Sequence, residues 1–531
     1  MTAAELLRPR HVNPWLVAWV VALATFMEVL DTTIAAVSLR HIAGGLAAGL
    51  DESTWVLTSY LVANAIVIPI SGWLMTIAGR KRFYMGCTAL FTLASALCGL
   101  APSLSALIFF RLLQGASGGG LQPAAQAILA DAFPKERHGQ AFAFYGIAVV
   151  FAPIIGPTLG GWITDNFSWH WIFLINVPVG IVSLLLTAIF VFDPPALVEE
   201  RKRRLAEGVR IDVVGLILVI VGLGSLELFL DEGERHDWLA SPFIRTCAIS
   251  AAACLSALLV WELRHPRPVV DIPLWRNRNF FAASVVMFSI GFILYGTTQL
   301  LPQLLQTLLG YTSTLAGMAM TPGGIAVLFM MPIVGQLLSK YHVQPRTLIG
   351  VGLCIMAAAM WHMAGFNLQI TFQQAVLARI FQAASLGFLF VPINTIAYAG
   401  LPPEKSNNAA ALINLVRNIG GSTGIAVCTA MLSRRTQFHH LRLGEHLSSL
   451  DPQLQQFLST VEHLLPAGQP STLASPSPRA LALLDAMVNR QAAMMAYLDI
   501  FVFLTYVALA MIPLVFVLRK IQPRGGPTLA H

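Results

Sequence analysis

A short pattern that occurs twice inside apolar sequence constrains this chain more than any other feature. Residues 111–119 read RLLQGASGG and residues 379–387 read RIFQAASLG. Each copy sets an Arg and a Gln three residues apart, followed by Ala-Ser and a Gly. A second pair, PISGWL at 69–74 and PIVGQL at 332–337, keeps the same order at nearly the same separation. Two matches in the same order mean two related halves. In a membrane protein, related halves mark a secondary transporter whose solute path runs between them.

Lipid must be the solvent for much of this chain. Of 531 residues, 56% are hydrophobic and only 11% charged, against roughly a quarter charged in soluble proteins. The apolar runs are continuous and about twenty residues long, which fits helices and not the alternating strands of a barrel. The fold class is therefore an all-α polytopic membrane protein. The net charge of +7 does not imply nucleic-acid binding, because the basic residues recur in short loops at alternate span ends and form no single patch. Six cysteines (Cys87, Cys98, Cys247, Cys254, Cys354, Cys428) fall in predicted spans. Their spacing gives neither a zinc motif nor a disulfide framework, so no metal and no cofactor is expected. The first apolar run, from about Trp15 to Leu39, is too long for a signal-peptide core and contains Asp31; it is expected to stay as the first span.

Fourteen apolar segments are countable, from 15–38 to 499–519. The Arg-Gln pattern lies in the fourth and twelfth, and the PIxGxL pattern in the second and tenth, so the ninth repeats the first. That register predicts an N-terminal six-helix bundle over 1–192, a basic cytoplasmic linker over 193–210 and two inserted helices over 211–263. A second linker over 264–279 and a C-terminal six-helix bundle over 280–531 complete the chain. RKRR at 201–204, RHPRP at 264–268, Arg80–Arg82 and Arg519/Lys520 fall on one side, and DEGERHD at 231–237 opposite. The positive-inside rule makes the first side cytoplasmic, and an even number of spans puts both termini there. The polar segment 433–498, with several His residues and PSTLASPSP, is expected on the outer face, partly helical at 451–464 and 479–496.

Charges inside spans are costly, hence informative. Asp31 lies about 24 Å above the cytoplasmic start of the first span, and Arg111 about 10 Å below the outer start of the fourth, at ~1.5 Å per residue across a ~30 Å core. They share a depth, and neighbouring helices would pair them. Burial favours a protonated acid and a facing guanidinium favours the carboxylate; a carboxyl balanced between these effects suits proton coupling. A fixed pair stapling the two helices is the alternative. Glu28, one turn earlier, serves as a proton relay or a cation contact, or packs as a neutral acid. Arg379 stands in the twelfth span as Arg111 does in the fourth, yet the ninth span has no matching acid, so coupling is centred on the N-terminal half. Gln114, Gln299, Gln303, Arg379 and Asn394 are expected to line the substrate cavity. Glu227 and Arg417 read as snorkelling or local contacts. In the fifth span, Pro153, Gly156, Pro157, Gly160 and Gly161 predict a closely packed gating hinge.

Enzyme signals are poor: the chain contains no GxxxxGK[ST] and no HExxH. One H-x4-D, His446 to Asp451, lies in the polar outer segment and suits chance better than acid–base catalysis. His439, His440, His446 and His463 read as solvated surface and not as metal ligands.

LDTTIA at 30–35, GWLMTIAGRKR at 72–82, RLLQGASGGGLQP at 111–123, APIIGPTLGGWI at 152–163 and WIFLINVPVG at 171–180 together carry a resemblance. The chain resembles the major facilitator superfamily, specifically its fourteen-span drug:proton antiporters of the EmrB/QacA type, over nearly its whole length. The resemblance implies two pseudo-symmetric six-helix bundles plus two inserted helices, and proton-driven export of hydrophobic or amphiphilic toxic compounds. A same-fold transporter of a metabolite, organic acid or siderophore is the alternative. By the resemblance Asp31 carries the proton, Arg111 tunes it, and Gly156, Pro157, Gly160 and Gly161 belong to the antiporter motif. Gly72, Gly79, Arg80 and Lys81 form the cytoplasmic gating loop. Thr76 stands where the superfamily usually has an Asp, which removes the usual charged latch there. The family further implies a bacterial inner membrane, a periplasmic membrane-fusion adaptor and an outer-membrane channel.

Overall fold

A computed structural model describes residues 13–206, 212–265, 268–399, 401–402, 405–448, 451–464 and 478–518. Both chain termini, Arg519/Lys520 and nearly all of PSTLASPSP lie outside the described residues, as does part of the 193–210 linker. Among the described residues the regular structure is helical, with no strand.

Fourteen long helices organise the chain: α1 (Pro14–Val37), α2 (Trp55–Ala78), α3 (Arg80–Gly99), α4 (Leu104–Ala132), α5 (His138–Asn166), α6 (Trp171–Phe190), α7 (Val213–Glu232), α8 (Pro242–Arg264), α9 (Arg278–Thr307), α10 (Ser313–Ser339), α11 (Pro345–Met363), α12 (Phe372–Tyr398), α13 (Ser406–Glu445) and α14 (Pro478–Val517). Eleven are long and apolar enough to cross a membrane, and twelve when α5, bent by 42° after Pro153, is taken as one span. The two that fall short are α3, which opens on Arg80-Lys81-Arg82, and α4, whose interior carries Arg111, Gln114 and a run of glycines. Arg80, Arg111 and Gln114 turn inward and are buried, whereas Arg82 is exposed.

Local sequence sets several helix starts. The Asn13 side chain accepts from the Trp15 N–H at 3.0 Å, with Pro14 at the first helical position. Ser103 caps α4, and Thr371 with Gln374 forms a capping box at α12. Each satisfies backbone donors that the first turn leaves open.

The same helix pairs pack in both halves. α1 lies on α5 as α9 lies on α13; α2 on α4 as α10 on α12; α3 on α4 as α11 on α12; α3 on α6 as α11 on α14. Between the halves α5 packs along α10, and α2 along α13, which is the same relation with the halves exchanged. The inserted α7 rests on α2 and α13, beside one of these two seams. The ends of the bundles nearest Arg80 are called inner below, and the opposite ends outer.

Hydropathy understates the helices at the outer end. The described residues of the 433–498 segment are largely helical: α13 and α14 are 40 residues each, about 60 Å at ~1.5 Å per residue against a ~30 Å core. A 13-residue helix, Pro452–Leu464, packs on α14.

Candidate functional site

Asp31 is sealed inside the N-terminal half by groups from three other helices. Arg111 on α4 donates through Nη1 to Asp31 Oδ2 at 2.6 Å. Gln114, one turn further on α4, donates to Oδ1 at 3.0 Å, and Asn176 on α6 donates to the same oxygen at 2.7 Å. Ser95 on α3 accepts from both Gln114 (3.2 Å) and Asn176 (3.0 Å) and donates to the Phe173 carbonyl at 2.8 Å. Arg111 also donates to Gln114 Oε1 at 2.7 Å and to the Val56 carbonyl at 3.0 Å, and its guanidinium lies 4.2 Å from the Tyr60 ring. Asp31 and Arg111 are 1% and 0% exposed. A carboxylate and a guanidinium out of water need hydrogen bonds as well as each other, and this cluster supplies them. The repeated Arg-Gln pattern names Arg111 and Gln114, and Asn176 lies within WIFLINVPVG at 171–180; Ser95 belongs to neither.

Glu28, one turn below, faces the other half. It accepts from Tyr60 (3.2 Å) and Asn64 (3.5 Å) at Oε1 and from Gln122 (2.7 Å) at Oε2. Gln122 in turn accepts from Arg417 on α13, and Asn64 accepts from Asn418 at 3.0 Å. Arg417 is therefore a link between the halves, where the sequence suggests only a local contact. Glu227 differs likewise: Ser422 on α13 donates to it, fixing α7 to the C-terminal half.

Further cross-bundle bonds close the inner end. Asn414 donates to Gln126 at 2.9 Å, Tyr398 donates to the same oxygen at 3.3 Å, and Gln140 donates to Ser339 at 2.9 Å. Arg80, paired with Asp131 and bonded to the Ala127 carbonyl at 3.0 Å, donates through Nε to Asn407 at 2.6 Å. Thr76 takes no part in such a latch; its hydroxyl donates back to the Gly72 carbonyl at 3.0 Å. Gly79, with φ +87°, makes the turn that presents Arg80. Lys81 donates its backbone N–H to Asp193 at 2.9 Å and its Nζ to the Ala188 carbonyl at 2.7 Å, so it anchors the turn to the end of α6. At Gly72 an added Cβ would sit 2.7 Å from Asn408 Oδ1, so a bare backbone is what lets α2 meet α13.

The hinge residues divide. A Cβ on Gly156 would overlap Thr33 Oγ1, and one on Gly160 would lie 3.1 Å from Ile34 Cα, so both let α1 press against α5. Gly161 faces open space within 4 Å and does not belong to that contact. Pro153 marks the bend, and Pro157 lies beyond it within the same helix.

In the C-terminal half, buried Arg379 donates to Gln382 at 2.7 Å and Thr298 at 3.4 Å, and no acid pairs with it among the described residues. Gln382 donates to Thr297. Asn394 is buried, donating to the Phe390 carbonyl at 2.8 Å with its own Oδ1 unpartnered. Gln299 and Gln303, one turn apart near the outer end of α9, are both exposed, while Leu300 and Leu304 are buried. At the outer end Asp499 accepts from Arg435 (2.5 Å) and pairs with His439 (2.7 Å), tying α14 to α13. No cluster of three or more metal-ligating side chains occurs among the described residues.

The sequence profile of the Major Facilitator Superfamily matches residues 21–425. The chain is 41% identical over 438 residues to the Multidrug export protein EmrB of Haemophilus influenzae, covering 82% of this chain and 84% of that protein. It is 36% identical over 515 residues to the Fatty acid resistance protein FarB of Neisseria gonorrhoeae, covering 96% and 97%. The solved structure of the proton:xylose symporter XylE bound to 6-bromo-6-deoxy-D-glucose superposes with a TM-score of 0.59 at 13% identity, over 94% of this chain and 96% of that one, a likeness of fold alone. Paired helical halves, a buried acid–arginine site and these matches lead to one conclusion: the chain belongs to the Major Facilitator Superfamily and is a multi-pass membrane transporter.

Proposed function

We propose that this chain is a proton-driven multidrug efflux antiporter, exporting hydrophobic or amphiphilic compounds by alternating access across a bacterial inner membrane. All fourteen long helices cross the membrane in this reading, with both termini in the cytoplasm. The observation that carries it is the asymmetry of the two arginines of the repeated Arg-Gln pattern: Arg111 holds a carboxyl, Asp31, whereas among the described residues Arg379 holds an amide and a hydroxyl. Only the first can exchange a proton.

Protonation of Asp31 removes the charge that Arg111 Nη1 grips. α1 then loses its strongest tie to α4, and it rests on α5 through Gly156 and Gly160, while α5 runs along α10 of the other half. A change at Asp31 thus reaches the seam between the bundles through packed helices. Proton loading and substrate occupancy favour opposite states of the alternating-access equilibrium. One proton through ~100 mV supplies about 2.3 kcal/mol, a substrate gradient of roughly fifty-fold; a pH gradient or a second proton adds to it. The names of the two relatives, a multidrug exporter and a fatty acid resistance protein, agree with efflux.

In the same reading the pump is the inner-membrane part of a tripartite path, with a periplasmic membrane-fusion adaptor and an outer-membrane channel. The outer extensions of α13 and α14 support this, since they stand clear of a ~30 Å core and expose Phe438, Leu441, Leu481 and Met487. The test is proton release from proteoliposomes on adding lipophilic cations, weak acids and neutral drugs. Substrate-triggered release supports antiport; substrate movement without proton release makes the protein a facilitator.

A further inference from the structure

Four buried arginines lie in the helical core, and they are satisfied to different degrees. Arg80 pairs with Asp131 and Arg111 with Asp31. Arg379 is held within its own half by Gln382 and Thr298. Arg417, 2% exposed, is held from across the seam by the neutral amide oxygen of Gln122. Its Nε, like Arg379 Nε and Arg111 Nη2, has no hydrogen-bond partner among the described residues, but of these three arginines Arg417 alone is bonded to the opposite half. A guanidinium offers five N–H donors in a planar fork, a shape that matches a carboxylate.

The acid at the far side of Gln122 is not short of partners. Glu28 accepts from Tyr60, Asn64 and Gln122, with both oxygens occupied. Unmet hydrogen-bonding capacity in this chain of groups is therefore donor capacity, on Arg417, and it calls for an acceptor. An aromatic wall stands beside it: the Phe390 ring centroid lies 6.0 Å from the guanidinium, and Tyr145 stacks on Phe390 with centroids 6.2 Å apart. Gln122 and Arg417 meet across the seam between the halves, so parting the inner ends of the bundles would separate them and open the site to the inner side.

We propose that Arg417 is the substrate-binding residue that selects amphiphilic organic anions. The carboxylate of the substrate takes the place on Arg417 that Gln122 Oε1 holds in the closed state, and its apolar body lies against Phe390 and Tyr145. Return to the closed state restores the Gln122 contact and displaces the anion. The inference rests on the export reading above and names the substrate class for it.

The test uses three probes of one ring system: naphthoate, naphthamide and naphthyltrimethylammonium. Binding to the purified full-length protein is measured alongside probe-triggered proton flux in proteoliposomes. The wild type should bind naphthoate at least ~10-fold more tightly than naphthamide, the size of a charge-assisted hydrogen bond. Arg417→Gln should bring that ratio to about one, and Arg417→Lys, which keeps the charge, should retain part of it. Thermal melting of each variant separates lost binding from lost folding. A naphthoate preference that survives in folded Arg417→Gln overturns the proposal, as does a wild type that prefers the ammonium. If the ammonium alone drives proton flux, export stands and the anion assignment falls. If naphthoate binds through Arg417 but no probe moves protons, the assignment stands and antiport falls.

Discussion

The α1–α5 contact predicts a graded response to three single-methyl changes. Gly156→Ala puts a Cβ onto Thr33 Oγ1 and 2.7 Å from Thr33 Cβ, inside the 3.0 Å that real Cβ contacts respect. Thr33 cannot turn away freely, because its hydroxyl is bonded to the Leu30 carbonyl at 2.9 Å and its Cβ faces α5. Overpacking of this kind costs ~1–3 kcal/mol, offset by ~1 kcal/mol from replacing Gly by Ala in a helix. Gly160→Ala meets Ile34 at 3.1 Å, so strain and propensity should nearly cancel. Gly161→Ala meets nothing within 4 Å and should gain up to ~1 kcal/mol. Apparent Tm in detergent should therefore rank Gly161→Ala above Gly160→Ala above Gly156→Ala, the extremes differing by ~1–3 kcal/mol. Transport by Gly156→Ala should fall further than its stability does, because Thr33 lies two residues from Asp31. Adding Thr33→Ala should recover part of the loss and not all, since its Cβ still crowds the new methyl. Equal Tm for Gly156→Ala and Gly161→Ala would refute this packing.

Two more perturbations probe the ends of the molecule. Asn407→Ala removes a charge-assisted bond to Arg80 at the inner seam, worth ~1.5–3 kcal/mol. Thiol labelling of a cysteine placed at Ala127, which is buried and accepts from Arg80 through its carbonyl, should rise by at least ~10-fold; unchanged labelling would show that the bond does not hold the inner end shut. Replacing Phe438, Leu441, Leu481 and Met487 together by polar residues should abolish co-purification of the adaptor while substrate transport in vesicles persists. Retained co-purification would remove the outer extensions from the adaptor contact.

The sequence made the skeleton of this account readable, because duplication and hydropathy are written into the order of residues. Depth arithmetic alone sets Asp31 and Arg111 at one level, and the structure has them 2.6 Å apart. Their supporting groups were not readable: Ser95 and Asn176 are small polar residues in apolar runs, and only packing brings them to Asp31. Arg417 reads as local because its partner Gln122 is distant in sequence, in the other half. In the 433–498 segment the helices at 451–464 and 479–496 are readable, but the continuation of α13 to Glu445 is not, since a helix that leaves the lipid loses the apolar signal and keeps only its backbone bonds. Gly161 shares a motif with Gly156 and Gly160, yet points elsewhere, as helical spacing permits for a neighbour one residue on. At the turn after α2, Arg80 bonds Asn407 across the seam, while Thr76 bonds back to its own helix.

The most direct test of the central claim compares proton release by wild-type and Asp31→Asn protein in proteoliposomes carrying a pH gradient, on addition of one transported compound. Asn keeps the shape of the side chain and the hydrogen bonds of its oxygen but cannot exchange a proton. Coupling through Asp31 predicts substrate-triggered proton release from the wild type and none from Asp31→Asn. Undiminished release from Asp31→Asn would contradict it and move coupling to another acid, with Glu28 the first to examine.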